Sequence, residues 1–243
     1  MRCRPLSTLR QSSWEKPQWW LRGSVAKPSG VPRIYVLAGT DGAGKSSLMG
    51  AMLLQQGVEY FDPDHAAQRV FSANLLSGNP GISQLEANSA AWHEGKRLLE
   101  RAITEKLDFA FETTLGGKTI ADLLDKALSE RIEVRIWYVG LDSVERHIAR
   151  VRSRVAQGGH DIPEEKIHER YIQSRLNLIR LLPLLTELLL YDNSKEADPR
   201  TGRTPKPGLV LRLVQGKVRE TCELTRVPEW AKPILAAALK LKP

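Results

Sequence analysis

The sequence predicts an α/β fold, a parallel sheet flanked by helices, and two observations carry that prediction. Short apolar runs of strand length alternate with longer amphipathic stretches along most of the chain, the pattern of stacked βαβ units. The first clear run, "RIYVLAG", leads straight into a glycine-rich turn and then a helical pattern. That is where open α/β sheets bind ligands. With 243 residues and a hydrophobic fraction of 42%, the chain is long enough to bury such a core.

Taken in order, the first strand spans "RIYVLAG" and a helix is expected from about Gly44 to Gln55, followed by a strand at "VEYFD". The stretch "SQLEANSAAWHEGKRLLERAITEKL" has helical periodicity and leads to a strand at "DFAFETT". A helix over "KTIADLLDKALSE", a strand over "VRIWYVGL" and a helix from Ser143 to about Gln157 come next, the last stopped by Gly158 and Gly159. A further helical region, "PEEKIHERYIQSRLNLIRLLPLLTE", ends in the strand-like "LLLYDNS". "KEADPRTGRTPKPG" reads as a loop, "LVLRLVQGKV" as one more strand or a hairpin, and "PEWAKPILAAALKL" as a closing helix. The expected division is a basic, Trp-rich, disordered extension over 1–31, a core over 32–194, and a C-terminal loop, strand and helix over 195–243 that pack on the core.

Composition limits the function. Cys3 and Cys222 stand at opposite ends without ligand-like spacing, which argues against a disulfide framework or a zinc site and fits a reducing, cytoplasmic setting. Arg180, Pro183 and Glu187 interrupt the longest leucine-rich stretch, so it is not read as a membrane span. The net charge of +8 is concentrated in the first thirty residues, where six Lys and Arg face a single acid. A nucleic-acid role for that segment is not favoured.

The chemistry lies in "GTDGAGKSS". Gly39, Gly44, Lys45 and Ser46 match G-x-x-x-x-G-K-[ST] after a strand and at the start of a helix, which marks a P-loop NTPase fold that binds ATP or GTP, to be hydrolysed, used as a switch or used as a donor. Glycines let the backbone N–H groups of residues 39–47 (Gly39, Thr40, Asp41, Gly42, Ala43, Gly44, Lys45, Ser46 and Ser47) curl around phosphate oxygens. Lys45 should reach the outer phosphates of the nucleotide, and Ser46 should sit on Mg²⁺. Parallel strands deliver their C-terminal ends to one edge, so Asp62 and Asp64 in "FDPDHA", and Glu112, Thr113 and Thr114 in "FETT", should converge there. A carboxylate at that place can accept a hydroxyl proton, although Asp62 could equally cap the helix that follows. Arg146, Arg150 and Arg154 recur at four-residue steps beside a stripe of Val144, Ile148, Val151 and Val155. Arginines so placed can neutralise charge on phosphates from a helical lid, with "GGHDIP" as its hinge. Arg146 and Arg152 read as surface residues, and His160 as either a site residue or a loop histidine.

Together, "GTDGAGKSS", "FDPDHAA", "FAFETTLGGKT", "RVRSRVAQGGHDIPEEKIHERYIQSRLNL" and "YDNS" resemble the short members of the zeta toxin family. The resemblance implies a P-loop kinase using ATP and Mg²⁺, with the hydroxyl of an amino sugar in UDP-N-acetylglucosamine as acceptor and an antitoxin as a protein partner. It implies Asp64 as the base, Glu112, Thr113 and Thr114 as the acceptor pocket, and Arg154 and Arg170 as phosphate contacts, with Arg150 a weaker candidate. Asp62 in place of Asn, and Thr40-Asp41 in place of Pro-Asn, depart from the family pattern. A kinase for another small metabolite or nucleotide, and a non-catalytic nucleotide-dependent binding protein, are the alternatives.

Overall fold

A computed structural model describes residues 25–26, 30–46, 60–76, 82–196 and 206–241. Most of the extension, Ser47, most of the helix expected after the glycine loop, the start of "VEYFD" and the middle of the loop after 195 lie outside the described residues.

Seven strands form one sheet: β1 (Val25–Ala26), β2 (Arg33–Ala38), β3 (Asp108–Thr113), β4 (Glu133–Gly140), β5 (Glu187–Asp192), β6 (Gly208–Val214) and β7 (Lys217–Thr221), in the order β1-β3-β2-β4-β5-β6-β7. β3, β2, β4 and β5 run parallel. Their sequences are continuous apolar runs because both faces are covered: Val134, Ile136, Trp137, Tyr138 and Val139 of β4 are all buried. The edges differ from the expected all-parallel sheet, since β1 pairs antiparallel with β3, and β6 with β5. β6 and β7 form a hairpin across Gln215 (φ 49°) and Gly216 (φ 72°), the pair of left-handed residues that a tight two-residue turn demands. So short a turn can join β6 only to an antiparallel partner, β7.

The helices are α1 (Pro63–Leu76), α2 (Gln84–Thr104), α3 (Lys118–Ser129), α4 (Val144–Ala156), α5 (Glu164–Leu181) and α6 (Lys232–Leu239). Ser83 starts α2 with a reciprocal cap: the Glu86 N–H donates to Ser83 Oγ at 3.2 Å, and the Ser83 N–H to Glu86 Oε2 at 2.8 Å. Ser143 caps α4 by accepting from the Arg146 N–H at 3.2 Å. α5 opens with Glu164 and Glu165, which favour its positive N-terminal end. It stops before Pro183, whose ring is incompatible with continuing it. No helix of the described residues is long and apolar enough to cross a membrane.

The main core packs Leu99, Ile103, Ile120, Leu124, Leu178 and Ile234 against Ile34, Phe109, Val134 and Ile136. A smaller cluster on the other face joins Leu37, Ala43, Ala110, Trp137, Val139 and Tyr191. Trp230, just before α6, closes the C-terminal segment over the sheet. Its indole lies on Gly140, where a Cβ would come within 2.4 Å of the ring, and stacks with Tyr138 at 6.1 Å. Its Nε1–H donates to Asp192 Oδ1 at 2.9 Å. Trp230→Ala leaves a cavity and removes one of the two hydrogen bonds to Asp192 Oδ1, the other coming from Ser194 Oγ, and is expected to cost about 3–5 kcal/mol, read as a lowered urea midpoint.

Candidate active site

The glycine loop leaves the C-terminal end of β2 between β3 and β4. Its turn needs glycine at two places in particular. Gly39 has φ 142°, and a Cβ there would stand 2.1 Å from the Val139 carbonyl oxygen. Gly42 has φ 75°, and its Cβ would meet the His147 carbonyl at 2.7 Å. The Ala43 N–H closes the turn on Thr40 O at 3.1 Å. Asn193, at the end of β5, donates from Nδ2 to the Ala43 carbonyl at 2.9 Å. His147 holds the other side, its Nδ1 2.6 Å from the Asp41 carbonyl. With a carbonyl as its partner, that nitrogen must carry the proton.

Lys45 is only 7% exposed. Its ammonium lies 3.5 Å from Glu112 Oε1 and 3.4 Å from the Thr40 carbonyl, while the Ser46 hydroxyl donates to Glu112 Oε2 at 2.8 Å. One carboxylate at the end of β3 therefore answers both functional side chains of the loop. Burial pushes the Glu112 carboxyl above its ordinary range; Lys45 opposes this, and Asp62 and Asp64 add to it.

Phe61 fixes the acids opposite. It pairs with β3, its N–H donating to Ala110 O at 2.9 Å and its carbonyl accepting from the Glu112 N–H at 2.8 Å. Asp62, next in the chain, caps α1: its Oδ1 accepts from the N–H groups of Asp64 at 2.9 Å and His65 at 3.3 Å. The cap reading of Asp62 describes its contacts. Asp64, in the first turn of α1, is more than half exposed, and its two oxygens face Arg154 Nη1 at 3.3 Å and His160 Nε2 at 3.8 Å. Arg154 also donates to the His160 carbonyl at 3.3 Å, and its Nε is buried without a hydrogen-bond partner. Gly158 (φ 90°) ends α4 and turns the chain toward His160.

Arg170 crosses from α5 to the loop, its Nη1 2.8 Å from Asp41 Oδ2. Burial alone would raise Asp41, but Arg170, then Lys45 and Arg154, hold its carboxyl below the usual range. Arg150 donates to the Asn193 carbonyl at 2.8 Å, supporting the loop through a neighbour. Arg146 pairs with Asp142 and Glu196, and Arg152 with Glu164. Thr113 and Thr114 turn their hydroxyls to local backbone, accepting from Leu115 N–H at 3.0 Å and Gly116 N–H at 3.4 Å. Their hydroxyl oxygens shape the turn after β3. Among the described residues no group of three or more His, Cys, Asp or Glu is placed to hold a metal ion.

His147 and Asn193 carry loop-supporting roles that the sequence reading did not assign. His147 is 1% exposed, and burial draws its pKa down to about 4. Its folded value lies below the unfolded one of about 6.5, so its contribution is complete above pH 6.5 and is lost as the pH falls toward 4. Between pH 6.5 and 5 the wild type should lose about 2 kcal/mol more than a His147→Asn variant, measured by urea denaturation at each pH.

With this geometry in place, comparison with known proteins is informative. The sequence profile of the zeta toxin family matches residues 19–195, well over half of the chain. An uncharacterized protein of Haemophilus influenzae is 32% identical over 134 residues, covering 55% of this chain and 88% of its own. Among solved structures, the AvrRxo1-ORF1:-ORF2 complex with ATP gives a TM-score of 0.59 at 14% identity over 88% of this chain, which spans 66% of that one. A structure of the PezAT chromosomal toxin–antitoxin system of Streptococcus pneumoniae gives 0.54 at 16% identity, covering 91% of this chain and 88% of that one. At such identities the structural likenesses speak for the fold, while the profile match speaks for ancestry: the chain belongs to the zeta toxin family.

Proposed function

We propose that this protein is an ATP-dependent kinase that phosphorylates a hydroxyl of a sugar nucleotide, with UDP-N-acetylglucosamine as the acceptor. The observation that supports it most is the convergence of Lys45, Ser46 and Glu112 with Asp64 and Arg154 at one edge of the sheet. A phosphate-gripping loop and an exposed carboxylate facing it are what transfer to an alcohol requires.

The residues present fit a magnesium nucleotide. Gly39 and Gly42 let the loop curl against the Val139 and His147 carbonyls where a Cβ would collide, and the hydroxyl of Ser46 beside Glu112 offers the hard oxygen donors that Mg²⁺ prefers. When bound, Mg²⁺ supplies charge neutralisation across the phosphate oxygens. Lys45 would exchange Glu112 for phosphate oxygen, and Arg154 and Arg170 would offset the charge that builds during transfer. Asp64 would take the proton from the acceptor hydroxyl as its oxygen bonds to the γ-phosphorus. The old P–O bond breaks and its electron pair leaves with ADP. Glu112, Thr113 and Thr114 would border the acceptor. PezAT is a toxin–antitoxin system, and an antitoxin is the protein partner proposed here.

Incubating the protein with magnesium ATP and a panel of UDP-sugars should add one phosphate to UDP-N-acetylglucosamine, read by mass. Asp64→Asn should slow that transfer about 10²–10⁴-fold and leave ATP affinity in place, whereas Lys45→Ala should abolish nucleotide binding. A panel that returns every sugar unmodified rejects the acceptor class, and unchanged turnover in Asp64→Asn rejects the base.

A further inference from the structure

Asp41 is a carboxylate inside a loop built for anions. It is 8% exposed, so its charge has little water to screen it, and a triphosphate in the same loop would face it as a like charge. It cannot turn aside easily. Its own carbonyl is held by His147 at 2.6 Å, and the next residue, Gly42, is packed against the His147 backbone. Its compensation comes from Arg170 Nη1 at 2.8 Å, 129 residues along the chain. Gly116 opens the path for that side chain, since a Cβ there would lie 2.7 Å from Arg170 Cγ. One nitrogen of the guanidinium is committed to Asp41, and an arginine fork has further donors to offer. About a third of the Arg170 side chain stays accessible.

We propose that Arg170 is the counter-ion that hides the Asp41 charge from the nucleotide, and that Asp41 in turn occupies a guanidinium nitrogen that would otherwise be free for phosphate. The inference rests on the loop being a triphosphate site and adds a coupling within it. A buried pair of this kind is costly to break from one side and cheap to remove whole. Arg170 therefore has two duties, and its removal harms binding mainly through the carboxylate it leaves behind.

A double-mutant cycle separates these duties. Binding of a magnesium-bound, non-hydrolysable ATP analogue is measured by calorimetry for wild type, Asp41→Asn, Arg170→Ala and the double variant. Arg170→Ala should weaken binding by roughly tenfold or more. Asp41→Asn should tighten it roughly threefold, because a like charge is gone. The double variant should return to within about threefold of wild type, a rescue that a merely structural role for Asp41 would not produce. If Arg170→Ala alone fails to fold, recovery of both fold and affinity in the double variant reads the same coupling. A double variant that stays unfolded, or binds no better than Arg170→Ala, overturns the proposal, as does weakening by Asp41→Asn. Lys45→Ala tells the two levels apart: if it retains analogue binding, the triphosphate site itself falls, and if it loses binding while the cycle is additive, only the coupling does.

Discussion

A buried ammonium has to be answered by negative charge, and most of the site follows from how Lys45 is answered. Desolvating a lysine costs several kcal/mol unless a counter-charge lies close. Here the counter-charge is Glu112, which also receives the Ser46 hydroxyl. The same constraint makes the loop receptive. The groups that hold Glu112, Lys45 and Ser46, are those that the proposed phosphate would engage, and an internal acid keeps them together. The burial that would neutralise Glu112 and the lysine that opposes it are two sides of that arrangement.

The sheet places this carboxylate. β3 lies beside β2 in parallel register, Leu37 opposite Glu112, so the end of one strand meets the start of the loop leaving the other. Asn193 and His147 then clamp the loop from β5 and from α4. The two arginines reach in from α4 and α5, each to a different acid: Arg154 to Asp64 and Arg170 to Asp41. The Arg154–Asp64 pair is the more exposed and is screened by water, so its value lies in geometry rather than in stability, whereas Asp41 is buried.

Much of the fold was legible because parallel strands buried on both faces are unbroken apolar runs, and β2, β4 and β5 read as such. The hairpin was legible as an alternative, since "QG" between two β-rich runs is a turn signal. The antiparallel edges were not, because direction is not written in a strand's own composition. In the site, the loop and the acids after the strands could be placed, but the pairing of Arg170 with Asp41 links positions 129 residues apart and leaves no local trace. His147 was hidden among arginines. The available signal was its spacing, one turn before Val151 and beside Ile148, which sets it on the buried side of α4. Asn193 sat in a motif that was noticed without being given work. The ambiguity at Asp62 was real, since cap and catalyst both call for a carboxylate before Pro63.

Phe61 is the tie between the segment before α1 and the sheet. It joins β3 through main-chain bonds on either side of Phe111, and its ring fills the notch that Gly95 leaves in α2, where a Cβ would come within 2.6 Å. The spacing between Glu112 and the segment that carries Asp64 is thus set by peptide geometry, which side-chain substitution barely alters. Substitutions in the surrounding helices and turns can then reshape the rim of the site while the reach between Glu112 and that segment stays constant like the gap of a caliper.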